Sequence, residues 1–184
     1  MKNLIAIFVI TLIFSSTMAN GSQNTTPTNV TSGMVGWLKF SIKSVKKQYK
    51  VGEKLNFTVE FENASKKDLY FYTNLILGYN LLFEIVEPKT KGKNVSLHLH
   101  MLIREAVSKR SDFIMLKKGE VFKKEFLIEL LEQLKPGYYK ISSTYHNDRY
   151  YYAEGETKVE LENVWREQIG SNTISIKIVP NGNI

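Results

Sequence analysis

The sequence contains no cysteine and little histidine or proline, with three histidines and four prolines in 184 residues. The absence of cysteine excludes disulfides, thiol catalysis and thiolate metal sites. The sequence also lacks the Walker, dinucleotide-binding and G-x-S-x-G patterns on which many catalytic sites are built. We therefore expect a protein that is not an enzyme and that uses no cofactor.

Long hydrophobic runs are absent after the first residues of the chain. Lys2 precedes an apolar run at residues 4–14, and small residues follow up to Ala19, which is the pattern of a signal peptide spanning residues 1–19. The run is shorter than the roughly 20 residues that a membrane-spanning helix needs. We expect an exported protein, periplasmic or extracellular, with no transmembrane segment after cleavage; the alternative is an uncleaved anchor. Export without disulfides is typical of bacterial rather than small animal proteins.

The remainder of the chain divides by composition. Residues 20–34 carry no charge and almost no apolar side chain, so their folding would not offset the entropy of ordering them. We interpret them as a flexible spacer, followed by one domain at residues 35–180 and a tail at residues 181–184.

Alternating apolar and polar residues, typical of half-buried strands, recur through the predicted domain. The cleanest run places Leu55, Phe57, Val59 and Phe61 on one face. No long helical pattern occurs, and we expect only one helical turn, just before Pro136. The sequence predicts an all-β antiparallel sandwich of seven or eight strands, with a long irregular loop at residues 146–170 before the last strand. Further strand patterns lie at residues 37–42, 69–72, 81–86, 95–102, 122–128, 139–145 and 174–179.

A proline-glycine turn introduces one of these strands, in the run from Leu134 to Tyr139. Pro136 fixes φ and Gly137 permits positive φ, so the pair predicts a sharp turn. An L-x-P-G-x-Y entry resembles the tyrosine corner of immunoglobulin-like sandwiches, in which a buried tyrosine bonds upstream backbone through its hydroxyl. We expect Tyr139 to hold that position.

Two further motifs extend the resemblance: the run from Asp112 to Glu120, and Trp165 followed by Ser171-Asn172. Together with the corner, they resemble small immunoglobulin-like domains of exported bacterial proteins, and more distantly bacterial proteinase inhibitors of immunoglobulin-like type. The resemblance implies an immunoglobulin-like β-sandwich and specifies a fold rather than an activity. Lys118 and Glu167 depart from it, since relatives usually carry proline and glycine there.

His98-Leu99-His100 is a candidate metal site. In a strand, both imidazoles would point to the same side, about 6.6 Å apart at roughly 3.3 Å per residue. Both could then reach one metal ion, with His146 as a third ligand. The alternative is two ordinary surface histidines.

Residues 89–124 concentrate positive charge, with ten Lys and Arg against three acidic residues. This segment accounts for the formal net charge of +7, because the rest of the chain balances. It could present a positive field to an anionic surface such as lipid headgroups or an acidic polymer. The alternative is a solvated face without a partner. Export argues against nucleic acid as the partner.

The long loop is the other candidate for recognition. Arg149, Tyr150, Tyr151, Tyr152 and Trp165 lie in it, and these residue types anchor many interfaces. We expect them at one exposed end, contacting a protein or a glycan; the alternative is that the tyrosines pack at a strand end and Trp165 plugs the sandwich edge. Three functions stay open: a non-enzymatic binding module, a proteinase inhibitor acting through the end loops, and a periplasmic metal carrier.

Overall fold

The computed structural model describes residues 34–35, 37–87, 95–98, 107–129 and 134–181. In these ranges the chain forms fourteen strand segments and one short 3₁₀ helix. The predicted signal peptide, spacer and tail fall almost entirely outside them, as do the helical turn before Pro136 and the second half of the strand predicted at residues 95–102. The elements are β1 (Met34–Val35), β2 (Leu38–Ser44), β3 (Gln48–Lys50), β4 (Leu55–Asn63), β5 (Leu69–Tyr72), β6 (Leu81–Glu87), β7 (Val95–His98), the 3₁₀ helix (Arg110–Asp112), β8 (Phe113–Leu116), β9 (Val121–Ile128), β10 (Gly137–His146), β11 (Tyr151–Glu154), β12 (Thr157–Glu160), β13 (Gln168–Gly170) and β14 (Ile174–Val179).

Two main sheets carry most of these strands. One has four strands in the order β1-β2-β4-β9, and the other has the order β3-β14-β10-β6-β7, with β13 also paired to β10. The pairing between β3 and β14 is parallel, whereas the other strand pairs are antiparallel. Two smaller pairs, β5 with β8 and β11 with β12, lie outside the main sheets.

Aromatic rings from both sheets form the core between them. Phe57 of β4 stacks on Phe83 of β6 with ring centroids 5.5 Å apart, and Phe61 meets Tyr145 of β10 edge-on at 4.8 Å. Strand β4 alternates strictly between buried and half-buried residues, as its sequence pattern predicts. The prediction of an all-β sandwich is therefore confirmed; its immunoglobulin-like character stays a prediction.

The segment at residues 146–170 differs from the irregular loop predicted. It contains the β11–β12 hairpin and the short strand β13, which pairs with the end of β10. Neither hairpin strand alternates cleanly between apolar and polar residues, because the hairpin lies apart from both main sheets and buries no complete face. A pattern search based on half-buried strands does not detect such an element.

Tyr139 has the environment expected at a tyrosine corner. Its side chain is only 4% exposed, and its hydroxyl donates a hydrogen bond of 2.8 Å to the Lys135 carbonyl. Burial, assisted by the nearby Glu87 carboxylate, raises the pKa of this phenol. Gly137 does not use the positive φ that glycine permits, since the positive-φ glycines of the described chain lie elsewhere.

No helix in the described ranges has the length and apolar character required to cross a membrane.

Candidate functional site

The β11–β12 hairpin presents the side chains of the candidate site. Its strands pair Tyr151 with Glu160 and Glu154 with Thr157, which leaves a two-residue loop. The first loop residue, Gly155, has φ of 63°, and glycine is the residue that hairpin loops favour at such a position. The local sequence E-G-E-T is therefore compatible with a two-residue hairpin turn.

Backbone and side-chain hydrogen bonds fix the base of this hairpin. The Leu161 amide donates to the Tyr150 carbonyl at 2.8 Å, closing the hairpin one residue beyond its strands. The buried Asn147 side chain donates to the carbonyls of Arg149 and Trp165, at 3.0 and 2.7 Å. The segment thus leaves and rejoins the sandwich at fixed points, which limits the freedom of the side chains it carries.

Two tyrosines and one lysine of this hairpin meet the side chain of Arg166, which follows it, and we call Tyr150, Tyr151, Lys158 and Arg166 the tyrosine–cation cluster. The Lys158 ammonium lies 4.8 Å from the ring centre of Tyr150 and 4.3 Å from that of Tyr151. The Arg166 guanidinium lies 4.7 Å from the ring centre of Tyr150, and the two rings meet edge-to-face at 5.4 Å. Each such contact places a cation over the electron-rich face of a tyrosine ring, which attracts it electrostatically.

Lys158 is the centre of the tyrosine–cation cluster. Its ammonium donates to the Tyr150 hydroxyl at 3.2 Å and pairs with the Glu160 carboxylate at 2.8 Å. Hydrogen bonding to Glu160, and secondarily to Tyr150, raises the pKa of Lys158 and so favours its charged form. The cluster combines aromatic rings, hydroxyl groups and cations, so it can make cation–ring, hydrogen-bond and apolar contacts with another molecule.

Trp165 does not share this surface, which corrects the expectation that it lies at the exposed end. It is 6% exposed and stacks on the buried ring of Tyr145 at 5.5 Å. Asn163 has a left-handed backbone with φ of 56°, and the residues after it form a bridge to Tyr70 of β5. The chain therefore turns inward just before Trp165, so this residue packs in the core and not at the exposed end.

The remaining residues predicted from the loop take different positions. Tyr152 pairs with Val159, and therefore lies on the hairpin face opposite to that of Tyr151. Arg149 is largely covered, and its Nε lies 3.5 Å from the Asp148 carboxylate. The structure brings together Tyr150 and Tyr151, but not the whole predicted set.

Sequence reasoning missed the two cations of the tyrosine–cation cluster. Lys158 contacts Tyr151 because the pair is diagonal across the hairpin, with Ala153 directly opposite Lys158. Reading E-G-E-T as a two-residue hairpin loop would have indicated this contact. Arg166 lies beyond the hairpin and approaches Tyr150 only through tertiary structure, so no local signal points to it.

The basic segment does not form one free basic face in its described part. Lys117 and Lys118 are exposed in the turn before β9, whereas Lys123 pairs with Glu60 at 3.0 Å. Arg110 donates to the Phe113 carbonyl at 3.1 Å and covers the ring of Tyr70 at 5.2 Å. Lys124 is half-buried. The three lysines between residues 89 and 93, and Arg104, lie outside the described residues.

The candidate metal pair is described only at His98, whose backbone lies opposite Glu84 in the β6–β7 ladder. His100 lies outside the described residues. Among the residues that the structure describes, no group of three or more histidine, cysteine, aspartate or glutamate side chains is placed to hold a metal ion. The metal hypothesis therefore stays untested.

No family model and no curated protein matches the sequence. Solved structures with a partial likeness include a β-glucosidase of Erythrobacter marinus, at 9% identity and TM-score 0.40, covering 77% of this chain. A β-glucosidase of Listeria innocua has 12% identity, TM-score 0.37 and 80% coverage. This chain spans only 15% and 17% of the length of those two enzymes. AvmM, described as catalysing macrocyclization in alchivemycin A biosynthesis, has 14% identity and TM-score 0.39, covering 80% of this chain and 90% of its own. Likenesses this weak carry no functional argument.

Proposed function

We propose that this chain is an exported, non-enzymatic binding module that captures a protein or glycan partner through the tyrosine–cation cluster. The observation that carries the proposal is that Tyr150, Tyr151 and Lys158 of the hairpin contact one another and that Arg166 contacts Tyr150. Tyrosine and arginine are among the residues that dominate binding energy in interfaces. Loops and hairpins at the margins of a rigid scaffold are also frequent binding elements.

The hairpin is not required to close the core, which supports a role in recognition. The core cluster of the described chain contains no residue from 151–160, although it contains Trp165 and Ile169 that follow the hairpin. An element that contributes no residue to the core gives the fold little hydrophobic stabilisation in return for the conformational entropy it costs. Its retention is readily explained if its side chains serve a partner.

The charges around the tyrosine–cation cluster restrict the type of partner. Glu154, Glu156, Glu160 and Glu162 are exposed on or beside the hairpin that carries Lys158. A surface of mixed sign does not produce the one-signed field that attracts a highly charged polymer. It suits a polar protein surface or a glycan, which aromatic rings and hydrogen-bonding groups recognise together.

The test compares capture of a partner from the native exported fraction by the parent protein and by Tyr151→Ala and Lys158→Ala. The matched control is Tyr138→Ala, because Tyr138 is an exposed tyrosine on β10 whose ring lies under Lys177 at 5.5 Å. The control therefore removes the same kind of tyrosine–lysine contact far from the hairpin.

We expect Tyr151→Ala to weaken capture by about 2 kcal/mol, or roughly 30-fold in dissociation constant, while Tyr138→Ala leaves it unchanged. Equal capture by all four proteins would overturn the proposal. A protease panel run beside it distinguishes the related hypothesis, since stoichiometric inhibition lost in Tyr151→Ala would show that the partner is a proteinase.

A further inference from the structure

Strand β9 forms one edge of the four-stranded sheet, and no described strand pairs with the backbone groups on its outer side. The eight residues of β9 pair with β4. The Asn63 amide donates to the Glu120 carbonyl at 3.0 Å, which sets the hydrogen-bonding parity of the ladder. Even-numbered residues of β9 therefore direct their backbone groups toward β4. The amides and carbonyls of Val121, Lys123, Glu125 and Leu127 point outward.

The outward edge is complementary to a second copy of itself. If two β9 strands run antiparallel with Lys124 on the two-fold axis, Lys123 of each copy lies opposite Glu125 of the other. Val121 lies opposite Leu127 in the same register, and these two apolar residues are 42% and 63% exposed in the single chain. Each of these pairings is of the hydrogen-bonded type, because all four residues present outward backbone groups. Opposite charges and apolar pairs directly across strands are stabilising.

One residue opposes this pairing from the inner face. Lys124 lies between Phe122 and Phe126 in the alternation of β9, and so points toward the core side of the sheet. Its ammonium lies 3.5 Å from the Leu75 carbonyl and 5.4 Å from the ring centre of Phe126. In the two-fold register, Lys124 would face its own copy, with the two Cα atoms about 4.5 Å apart. Like charges opposed in this way are destabilising, and inward-pointing charges are a known means of protecting sheet edges.

We infer that the outer edge of β9 is a strand-pairing surface for a second copy of this chain, and that Lys124 holds it closed. Removing the charge joins two four-stranded sheets into one continuous eight-stranded sheet. The pairing surface lies on β9 and does not involve the tyrosine–cation cluster, so this inference is independent of the proposed function.

The first test replaces Lys124 with valine and measures the association state by sedimentation velocity. The control is Lys123→Val, the same change one residue earlier, on the outer face where Lys123 pairs with Glu60. We expect Lys124→Val to dimerise at least tenfold more tightly than the parent, and Lys123→Val to remain monomeric. A folded, monomeric Lys124→Val, or a parent that already dimerises, would overturn the inference.

A second change establishes that the dimer forms through this edge. Glu125→Pro removes an outward-facing amide and none of the bonds to β4, and proline is tolerated at such edge positions. Added to Lys124→Val, it should return the protein to a monomer with an unchanged circular dichroism spectrum. A dimer that survives Glu125→Pro would show that association occurs elsewhere.

Mixing two variants provides a test that does not depend on the valine protein. Lys124→Glu alone still opposes like charges on the axis, whereas a mixture with the parent opposes an ammonium and a carboxylate. We expect association in the mixture and in neither component alone. The absence of mixed dimers at concentrations where Lys124→Val pairs would count against Lys124 as the controlling residue.

Discussion

At the scale of single residues, Tyr139 connects a buried ring to backbone beside the proline turn. We predict that Tyr139→Phe lowers the free energy of unfolding by about 1–2 kcal/mol, because the Lys135 carbonyl loses its 2.8 Å donor. The control is Tyr138→Phe, one residue earlier and 66% exposed, which should change stability little. Urea denaturation measures both. Superimposable curves for Tyr139→Phe and the parent would contradict the structural role of this hydroxyl.

The sequence suggests that Trp165 contacts a partner, whereas its burial predicts that it stabilises the fold. Because the ring is buried against Tyr145, Trp165→Ala should lower the free energy of unfolding by about 3–5 kcal/mol through the cavity it leaves. Tyr151→Ala, on the surface of the hairpin, should change it by less than about 1 kcal/mol. Thermal and chemical unfolding of the two variants distinguishes a core residue from an interface residue. If both variants lose the same small amount of unfolding free energy, Trp165 is not a core residue.

The difference between these two aromatic residues shows what a local pattern leaves undetermined. Tyr151 and Trp165 lie in the same polar, acidic segment, and both residue types are common in interfaces. Trp165 is buried because the left-handed Asn163 and the bridge to β5 turn the chain inward. That bridge joins Val164 to Tyr70, residues far apart in sequence, so neighbouring residues do not reveal it.

At the scale of elements, the hairpin should be removable without unfolding the sandwich. The Tyr150 carbonyl and the Leu161 amide are already joined at 2.8 Å, so residues 151–160 can be replaced by a two-residue turn such as Asn-Gly. We predict that this shortened form keeps its cooperative unfolding transition and loses capture of the partner. Capture by the shortened form at full strength would exclude the hairpin as the binding element.

A larger excision is the matched control for the hairpin replacement. Replacing all of residues 146–170 also removes Asn147, Trp165 and β13, which pairs with β10. This form should fail to unfold cooperatively, in contrast to the smaller replacement. We therefore expect the proposed binding element to separate from the part of the segment that stabilises the sandwich at Tyr150 and Leu161.

A strand could be predicted from the sequence when it buries one face along most of its length. Strand β4 buries alternate residues along its whole length, and its pattern alone indicated it. Strand β9 was also indicated by its spacing, even though Lys124 occupies one of the inward positions. Strands β11 and β12 bury no full face, and only the glycine of their loop could have revealed them.

At the scale of the whole molecule, strand composition was predictable and strand order was not. The alternation of apolar residues indicates which strands must bury one face, and a sandwich buries all of these faces between its two sheets. The parallel pairing of β3 with β14 joins Tyr49 to Ile178, across most of the domain. No turn or spacing encodes that contact, since it depends on how the two sheets stack after collapse. In the tyrosine–cation cluster, the contact of Arg166 with Tyr150 also depends on tertiary structure, so the sequence could indicate only part of the cluster.

The charges and buried phenols together predict how stability depends on pH. Lys43 donates a hydrogen bond to the Glu60 carboxylate at 2.6 Å, and Lys123 pairs with it at 3.0 Å. These contacts, the one to Lys43 foremost, lower the pKa of Glu60 below 4.5 although its side chain is partly buried. The stability it contributes is present above its unfolded-state pKa and is lost as the pH falls through the lowered value. Tyr145 is fully buried and donates to the Tyr72 carbonyl at 3.0 Å, and burial raises its pKa well above 10.0. Its contribution is present below pH 10 and is lost as the pH rises toward the raised value.

We therefore predict a stability maximum between these limits, with Glu60 contributing to the acid flank and Tyr145 to the alkaline flank. Glu60→Gln should flatten the decrease in unfolding free energy on the acid side, and Tyr145→Phe should flatten it on the alkaline side. Urea midpoints measured from pH 3 to pH 11 test both. Tyr145→Phe also leaves the Tyr72 carbonyl without its donor, so this variant should be less stable by about 1–2 kcal/mol at neutral pH. The comparison therefore uses the slope of unfolding free energy against pH and not its absolute value. If either variant retains the slope of the parent on its own flank, another ionisable group controls that flank.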